Sequence, residues 1–324
     1  MNKNILSIIA ASLSASTLIA QSFAPAAGLP GSTAISKDSP LFTSWATHCE
    51  VERGYFNIED QALGLATHGS PEDAVGPSTG ISTNTVSLGD GGTATLTFLE
   101  GIRNGDGPDF AVFENGVTDG FLELGFVEVS SDGERFVRFP AISEAPTDTQ
   151  VGPFGVVDCR HFHNFAGKYR VGFGTPFDLE DLIDSTGIDL ENITHVRIVD
   201  VVGSIDPQFA TYDSQGNMVN NLHPTPFESA GFDLEAVGVI NPGSLSISKA
   251  KMEALTIHPN PASSTIQISE KTSGMISIHT LLGDTVLEQK SDGLTTIIDV
   301  SNFEEGIYII SSSEGISSKL IIKK

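Results

Sequence analysis

The chain predicts an all-β protein, a jelly-roll β-sandwich followed by a small C-terminal β-sandwich. Three observations carry this. Short runs of alternating apolar and polar residues, rich in β-branched and aromatic types, recur through the middle of the 324 residues. Turn sequences rich in Gly and Asp separate them. Helical spacing is confined to a short stretch, Asp178–Ser185, where Leu179, Leu182 and Ile183 share a face. In chain order the expected strands are Thr93–Phe98, Phe110–Phe113, Phe126–Ser130, Phe136–Phe139, Tyr169–Phe173, His195–Val202 and Leu234–Ile240. The expected turns are Gly89-Asp90-Gly91-Gly92, Asn104-Gly105-Asp106-Gly107-Pro108, Asn115-Gly116, Ser131-Asp132-Gly133 and Gly231. Strands this short at this spacing imply a sandwich or jelly roll.

The ends frame that domain. Lys3 followed by the apolar run Ile5–Ala20 predicts a secretory signal peptide over residues 1–20, cut before Gln21. No later segment approaches the ~20 apolar residues a spanning helix needs. No cysteine lies near the cut, so no lipid anchor is expected there. A binding domain is predicted over residues 21–240, a linker over 241–253 (Pro242-Gly243, then serines) and a separate unit over 254–324.

That last unit carries four ordered landmarks. Pro259-Asn260-Pro261 follows an apolar strand, and Leu282-Gly283-Asp284 makes a turn. Asp299-Val300-Ser301 precedes Gly306-Ile307-Tyr308, and Lys319-Leu320-Ile321-Ile322-Lys323-Lys324 closes the chain. In these residues the tail resembles the type A C-terminal sorting domain of the Bacteroidetes type IX secretion system. The resemblance implies the type IX machinery as a partner, export across the outer membrane, and a secreted or cell-surface location. It also implies that the working site lies upstream.

Charge narrows what that site meets. Residues 21–250 hold 32 acidic and 10 basic residues, a net −22 of the chain's −24. Such a domain repels phosphate backbones, which excludes nucleic acid as a partner and suits cations. Cys49 and Cys159 are the only cysteines. In a chain bound for an oxidising compartment they are expected to form one disulfide, two partly buried free thiols being the other reading.

The middle region resembles galactose-binding-like and discoidin-like jelly rolls in three places. Phe126-Val127-Glu128-Val129-Ser130-Ser131-Asp132-Gly133, followed by Phe136, looks like their strand–turn–strand. His195-Val196-Arg197-Ile198-Val199-Asp200 looks like a later central strand, and Gly231-Phe232-Asp233-Leu234-Glu235-Ala236-Val237 like the closing one. The resemblance implies a fold and leaves the ligand open.

Acidic loops give the main chemical candidates. Asp109 and Glu114 flank the strand Phe110–Phe113. Asp200 ends a strand, and Asp206 and Asp213 follow in a long loop. Asp233 and Glu235 stand two apart on the last strand, so they face the same side. Calcium takes six to eight oxygens from such loops. Asp213-Ser214-Gln215-Gly216-Asn217 has that character without the spacing of an EF-hand. Calcium supported by these seven acids is therefore the expected cofactor, against the plainer reading of solvated turn formers.

Asp233 and Glu235 also have the form of an acid–base pair for glycoside hydrolysis. His161 and His163 form an HxH with His195, His223 or a carboxylate as a third metal ligand, or a loop with two exposed histidines. No nucleophile elbow, phosphate loop or dinucleotide fingerprint occurs. Trp45 is the single tryptophan, and scarce Trp and Tyr argue against a polysaccharide platform. Phe121, Phe154, Phe177, Phe209 and Phe227 sit in expected loops beside Gly or Pro. Converging at one end of the sandwich, they would make an apolar pocket ringed with acid. The expected function is an exported, calcium-supported binding module for an unidentified extracellular ligand. A glycan or ester hydrolase is the alternative from another class. Corrinoid capture or adhesion is the third, from a similarity to Bacteroidetes surface proteins of corrinoid uptake that no single motif carries.

Overall fold

The computed structural model describes residues 22–243, 255–268, 273–281, 283–292, 295–313 and 317–324. The expected signal peptide and most of the expected linker lie outside the described residues. The chain divides into two compact units between residues 245 and 246.

Seven principal strands build the larger unit. They are β1 (His48–Glu52), β2 (Thr93–Ile102), β3 (Phe110–Glu114), β4 (Gly125–Ser130), β5 (Phe173–Phe177), β6 (Ile193–Asp200) and β7 (Asp233–Val239). One sheet runs β1-β2-β6-β4, with Val137–Arg138 outside β4. The other runs β5-β3-β7, with Ile35–Ser36 beside β5 and both Ser44–Trp45 and Val86–Ser87 beside β7. From β2 onward successive principal strands alternate between the sheets, and all pairings are antiparallel, which is a jelly-roll path.

Side-chain alternation explains why the sheets stack. Ala94 and Leu96 of β2, Val127 and Val129 of β4, and Val196 and Ile198 of β6 enter one apolar cluster. Phe110 and Val112 of β3 and Leu234, Val237 and Val239 of β7 meet them from the other sheet. The register slips between Leu234 and Ala236, so Glu235 is the extra residue of a β-bulge.

Both outer faces are covered as well. Phe42 and Trp45 pack on Phe113 of β3, with ring centroids 5.5 Å away in each case. The single tryptophan thus covers a sheet. On the opposite side Phe126 of β4 joins Leu122, Leu124, Phe162, Phe165 and Val219 in a second cluster.

Several expectations shift at their edges. Of Phe136–Phe139 only Val137–Arg138 pairs as a strand. The strand expected at Tyr169–Phe173 begins at Phe173, because Gly172 turns the chain at φ +83. Tyr169 is instead buried, its hydroxyl 2.8 Å from Thr33 Oγ1. The expected helical stretch is a 3-10 turn, Leu179–Leu182, capped by Asp178 accepting from Glu180 N. The first linker residues belong to the domain: Asn241 N donates to Asp109 O at 3.1 Å and Gly243 N to Gly101 O at 3.2 Å.

The disulfide expectation is corrected. Cys49 and Cys159 are both free and buried. Cys49, on β1, lies in the inter-sheet cluster, whereas Cys159 lies in the cluster on the outer face of β4. A bridge needs Cα atoms roughly 4.4–6.8 Å apart, and a sheet stands between these two clusters. Burial pushes the Cys49 thiol up to about 12 and the Cys159 thiol upward. Both are unreactive apolar fillers.

The smaller unit is a β-sandwich in its own right. Ile257–His258, Thr265–Ile268 and Thr296–Asp299 form one sheet. Thr285–Asp292, Ser273–Thr280, Gly306–Ser312 and Ser317–Ile322 form the other, in that order. Ile257, Ile266, Ile268 and Ile298 of the first pack with Ile276, Ile278, Ile310 and Leu320 of the second.

Candidate functional site

In the tail the structure joins landmarks that lie sixty residues apart. Asn260 Nδ2 donates to Lys319 O at 2.7 Å, and its Oδ1 accepts from Ile321 N at 2.9 Å. Ala262 N donates to Ile321 O, and Lys323 N returns a bond to Ala262 O. Pro259-Asn260-Pro261 is thereby laid on the closing strand. Gly283 turns its hairpin at φ +92. Tyr308, the last residue of the Gly306-Ile307-Tyr308 landmark, packs on Phe303 and donates its hydroxyl proton to Glu304 O at 3.0 Å. Lys324 N donates to Glu305 Oε1 at 2.7 Å.

In the larger unit the seven acids singled out from sequence part into two groups. Asp109 and Glu114 sit at opposite ends of β3, on the order of 15–20 Å apart, and share no ligand. Asp109 is filled: it accepts from Gly105 N, Leu179 N and Asn241 Nδ2 at 2.7–2.8 Å. Asp213 accepts from Ser143 N, Gln215 N, Asn217 N and Asn217 Nδ2. Burial acts to raise it, yet those donors hold it below the usual carboxylate range. Glu235, on the bulge, accepts from Ser78 Oγ, Thr79 Oγ1 and Gly80 N. Asp206 is exposed and caps its own loop through Gln208 N. These four are structural staples.

Glu114, Asp200 and Asp233 are different. They are buried near one another at the end of the sandwich where β3 and β6 finish and β7 begins. Asp200 accepts from Gly91 N and Phe232 N, and burial, then the Asp90 carboxylate, pushes it up to about 8. Burial pushes Asp233 up to about 6 against the hydroxyl of Ser87 and the amide of Asn115, which donates at 2.6 Å. Glu114 is held well above its usual range by burial first; Oε2 accepts from Gly116 N, while Oε1 is buried with no partner.

Two acids that sequence reasoning missed complete the group. Asp90 sits in a stretch that reads as a plain turn. Glu123 stands between Leu122 and Leu124, just before β4; an acid inside an apolar run was the available signal. Glu123 is 8% exposed, and burial, then Asp233 and Glu114, raise it well above its usual range. Glu128, 7% exposed, is answered by Arg138 and Arg197. Glu123 has no such partner among the described residues.

Glu123 and Asp233 face a cleft made of two adjoining hollows of about 340 and 580 Å3. Asn115, Ser82, Ser229 and Phe227 line both hollows with Asp233. Phe121 and Phe154 line the first, and His68 the second. Phe154 and Phe227 are 76% and 42% exposed, and their rings stand 5.6 Å apart. Three of the five loop phenylalanines thus converge beside the acids. Phe177 is instead in the core against Phe110, and Phe209 lies on the Asp206 loop.

The four histidines weighed as metal ligands occupy separate places. His163 stacks on Phe23, His195 Nδ1 lies 2.8 Å from Thr194 Oγ1, and His161 lines another hollow. His223 is buried with Nε2 3.1 Å from Glu59 Oε1. Among the described residues, no three His, Cys, Asp or Glu side chains are grouped to hold a metal ion.

Comparison with known proteins identifies the tail. Residues 256–323 match the family model described as secretion system C-terminal sorting domain. The tail is a type IX sorting domain, and the protein is exported by that system to the outside of the cell or its outer surface. No curated protein matches the chain. Among solved structures, a biofilm-associated protein BSP domain is similar at 12% identity over 71% of this chain and 48% of its own, with TM-score 0.18. A Ruminococcus gnavus b-glucuronidase in complex with D-glucuronic acid matches at 11% over 89% and 48%, TM-score 0.23. A Faecalibacterium prausnitzii beta-glucuronidase matches at 12% over 90% and 46%, TM-score 0.20. The chain spans about half the length of these structures, and likenesses this low carry nothing about its activity.

Proposed function

We propose that the exported sandwich is a binding module that captures an extracellular ligand in the cleft between Phe154, Phe227 and Asp233. The observation that supports this most is the convergence of exposed phenyl rings on two buried carboxyl groups at one end of the fold. Large exposed aromatics beside aimed polar groups make a recognition site, since rings supply area and the polar groups fix orientation. A ligand screen on the mature protein tests it. Hits should lose at least about tenfold in affinity in Phe154→Ala and Phe227→Ala. Hits indifferent to both substitutions would place binding elsewhere.

One observation favours hydrolysis as a second reading. Asp233 and Glu123 line one cleft, and raised carboxyl groups are what general acid catalysis uses. The Asp233–Glu235 pair expected from sequence does not support it, because Glu235 is spent on Ser78, Thr79 and Gly80. Turnover of aryl glycosides and esters that Glu123→Gln abolishes would establish an enzyme.

Calcium is a separate proposal. Asp109, Asp213 and Glu235 already hold full sets of donors, so an ion would draw on Asp206 and on carbonyls of its exposed loop. Melting with calcium against chelator tests this.

A further inference from the structure

We propose that the cleft selects an organic cation, a protonated amine whose ammonium group enters toward Glu123 and Asp233 while its apolar body lies on Phe154 and Phe227. The inference rests on the reading of the cleft as the binding site and specifies the ligand's chemistry.

Glu123 carries the argument. The residue is 8% exposed and lines the cavity, and its carboxyl group receives no hydrogen bond among the described residues. Burial without a partner favours the protonated form of Glu123, and a cation brought beside it pairs the carboxylate it then becomes. Glu128 receives two arginines; Glu123 lines the smaller hollow. Asp233 lines the same hollow, already oriented by Ser87 and Asn115. No lysine or arginine is among the described residues that line either hollow. His68, which lines the second hollow, and after it Arg53 act on Asp233, and Arg53 spends its guanidinium on the carbonyls of His68, Gly69 and Ser87. Glu123 has no ion pair among the described residues, and its counter-charge is left for the ligand to bring.

The rest of the wall says what kind of cation. A metal ion needs several oxygens at short range, and no three acidic, His or Cys side chains among the described residues are so grouped. A hollow of about 340 Å3 is far larger than one ion. Its mouth is phenyl, from Phe121, Phe154 and Phe227, with Pro153 and Val117 beside them. Phenyl faces attract an organic cation through the ring quadrupole and bury its hydrocarbon. Ser82, Thr225 and Ser229 offer oxygens to the remaining N–H groups.

Isothermal titration of the mature protein tests the inference with 2-phenylethylammonium and related alkyl- and arylammonium ions. Neutral 2-phenylethanol, calcium chloride and a blocked peptide bearing one lysine are the other probes. The ammonium should bind about tenfold or more tightly than the alcohol, the gain of a charge-assisted contact. Glu123→Gln should remove that advantage and leave the alcohol's affinity unchanged, while Phe227→Ala should weaken both. Glu228→Gln, at the exposed rim, should leave the ratio within about threefold if the effect is contact rather than general field. A peptide that binds like the free amine assigns the source as a lysine side chain; a peptide that fails assigns a small amine. Equal affinity for alcohol and ammonium would overturn charge selection while leaving the cleft a binding site. Calcium binding abolished by Glu123→Gln would give the carboxylates to a metal and overturn it too. Failure of every probe, with Phe154→Ala and Phe227→Ala also silent in the wider screen, would remove both readings.

Discussion

Raising the pH from about 5 to about 7.5 should destabilise the larger unit, the reverse of ordinary acid denaturation. Asp200 is raised to about 8 and Asp233 to about 6, with burial the leading cause in both. Glu114 and Glu123 lie well above their usual range for the same reason. The unfolded chain releases these protons near pH 4. Between that point and the folded pKa the folded state binds more protons, so stability falls as pH rises, by about 1.4 kcal/mol per unit for each proton held. Over this interval Asp200 alone accounts for about 3 kcal/mol and Asp233 for about 1 kcal/mol. Burial lowers His163 and His195, which contribute in the opposite sense below their ordinary pKa. Lys168, lowered to about 8, acts only above the interval. For a unit of this size the net is a midpoint lower by on the order of 10 °C at the higher pH. Calorimetry across that range, at fixed ionic strength and with chelator present, measures it. Asp200→Asn should flatten the slope by about one proton, whatever it does to the absolute midpoint. A midpoint that stays level or rises from about pH 5 to 7.5 would refute the burial of uncompensated carboxyl groups.

Other outcomes follow from single sites. Thiol labelling without reductant should find no reactive cysteine in the native protein and both after denaturation; no labelling after denaturation would restore the disulfide. Asp213→Ala removes the acceptor for four donors and should cost about 2–4 kcal/mol, whereas Asp206→Ala should change stability by less than about 0.5 kcal/mol, read by urea titration. Deleting residues 246–324 should hold the protein inside the outer membrane while the larger unit still melts cooperatively, by cell fractionation and calorimetry. Asn260→Ala unties the Pro-Asn-Pro segment from Lys319 and Ile321 and should reduce export of the full chain; unimpaired export would show that this contact is dispensable.

Much of the fold was legible because its strands alternate. Val127 and Val129 against Phe126, or Val196 and Ile198 against Arg197, declare a two-sided strand in their own spelling. The tail was legible for another reason, that its landmarks are local turns and a closing strand. The site was legible only in part. Glu114, Asp200 and Asp233 stood out as acids at strand ends, yet Asp109, Asp213 and Glu235 look alike in sequence and turn out to be loop staples. What divides the groups is how many donors the fold brings, and those come from segments such as Ser78–Gly80 or Asn241, far off in sequence. The same holds for the cysteines: two thiols in an oxidising compartment suggest a bond, and only the sheet between their clusters forbids it. Phe154 and Phe227 meet because two loops some seventy residues apart in sequence end at one rim.

The clasp between Asn260 and the closing strand has a consequence for when the export label comes into being. Its landmarks become one surface only after Ser317–Ile322 has joined the sheet, because Lys319 and Ile321 supply both of the asparagine's partners. A ribosome that stops ten codons early yields the Pro-Asn-Pro segment with nothing to hold it. The joined landmarks therefore depend on the presence of Ser317–Ile322, and truncations moved inward from Lys324 should abolish export at the point where Ile321 is lost, well before the Gly306 strand is reached.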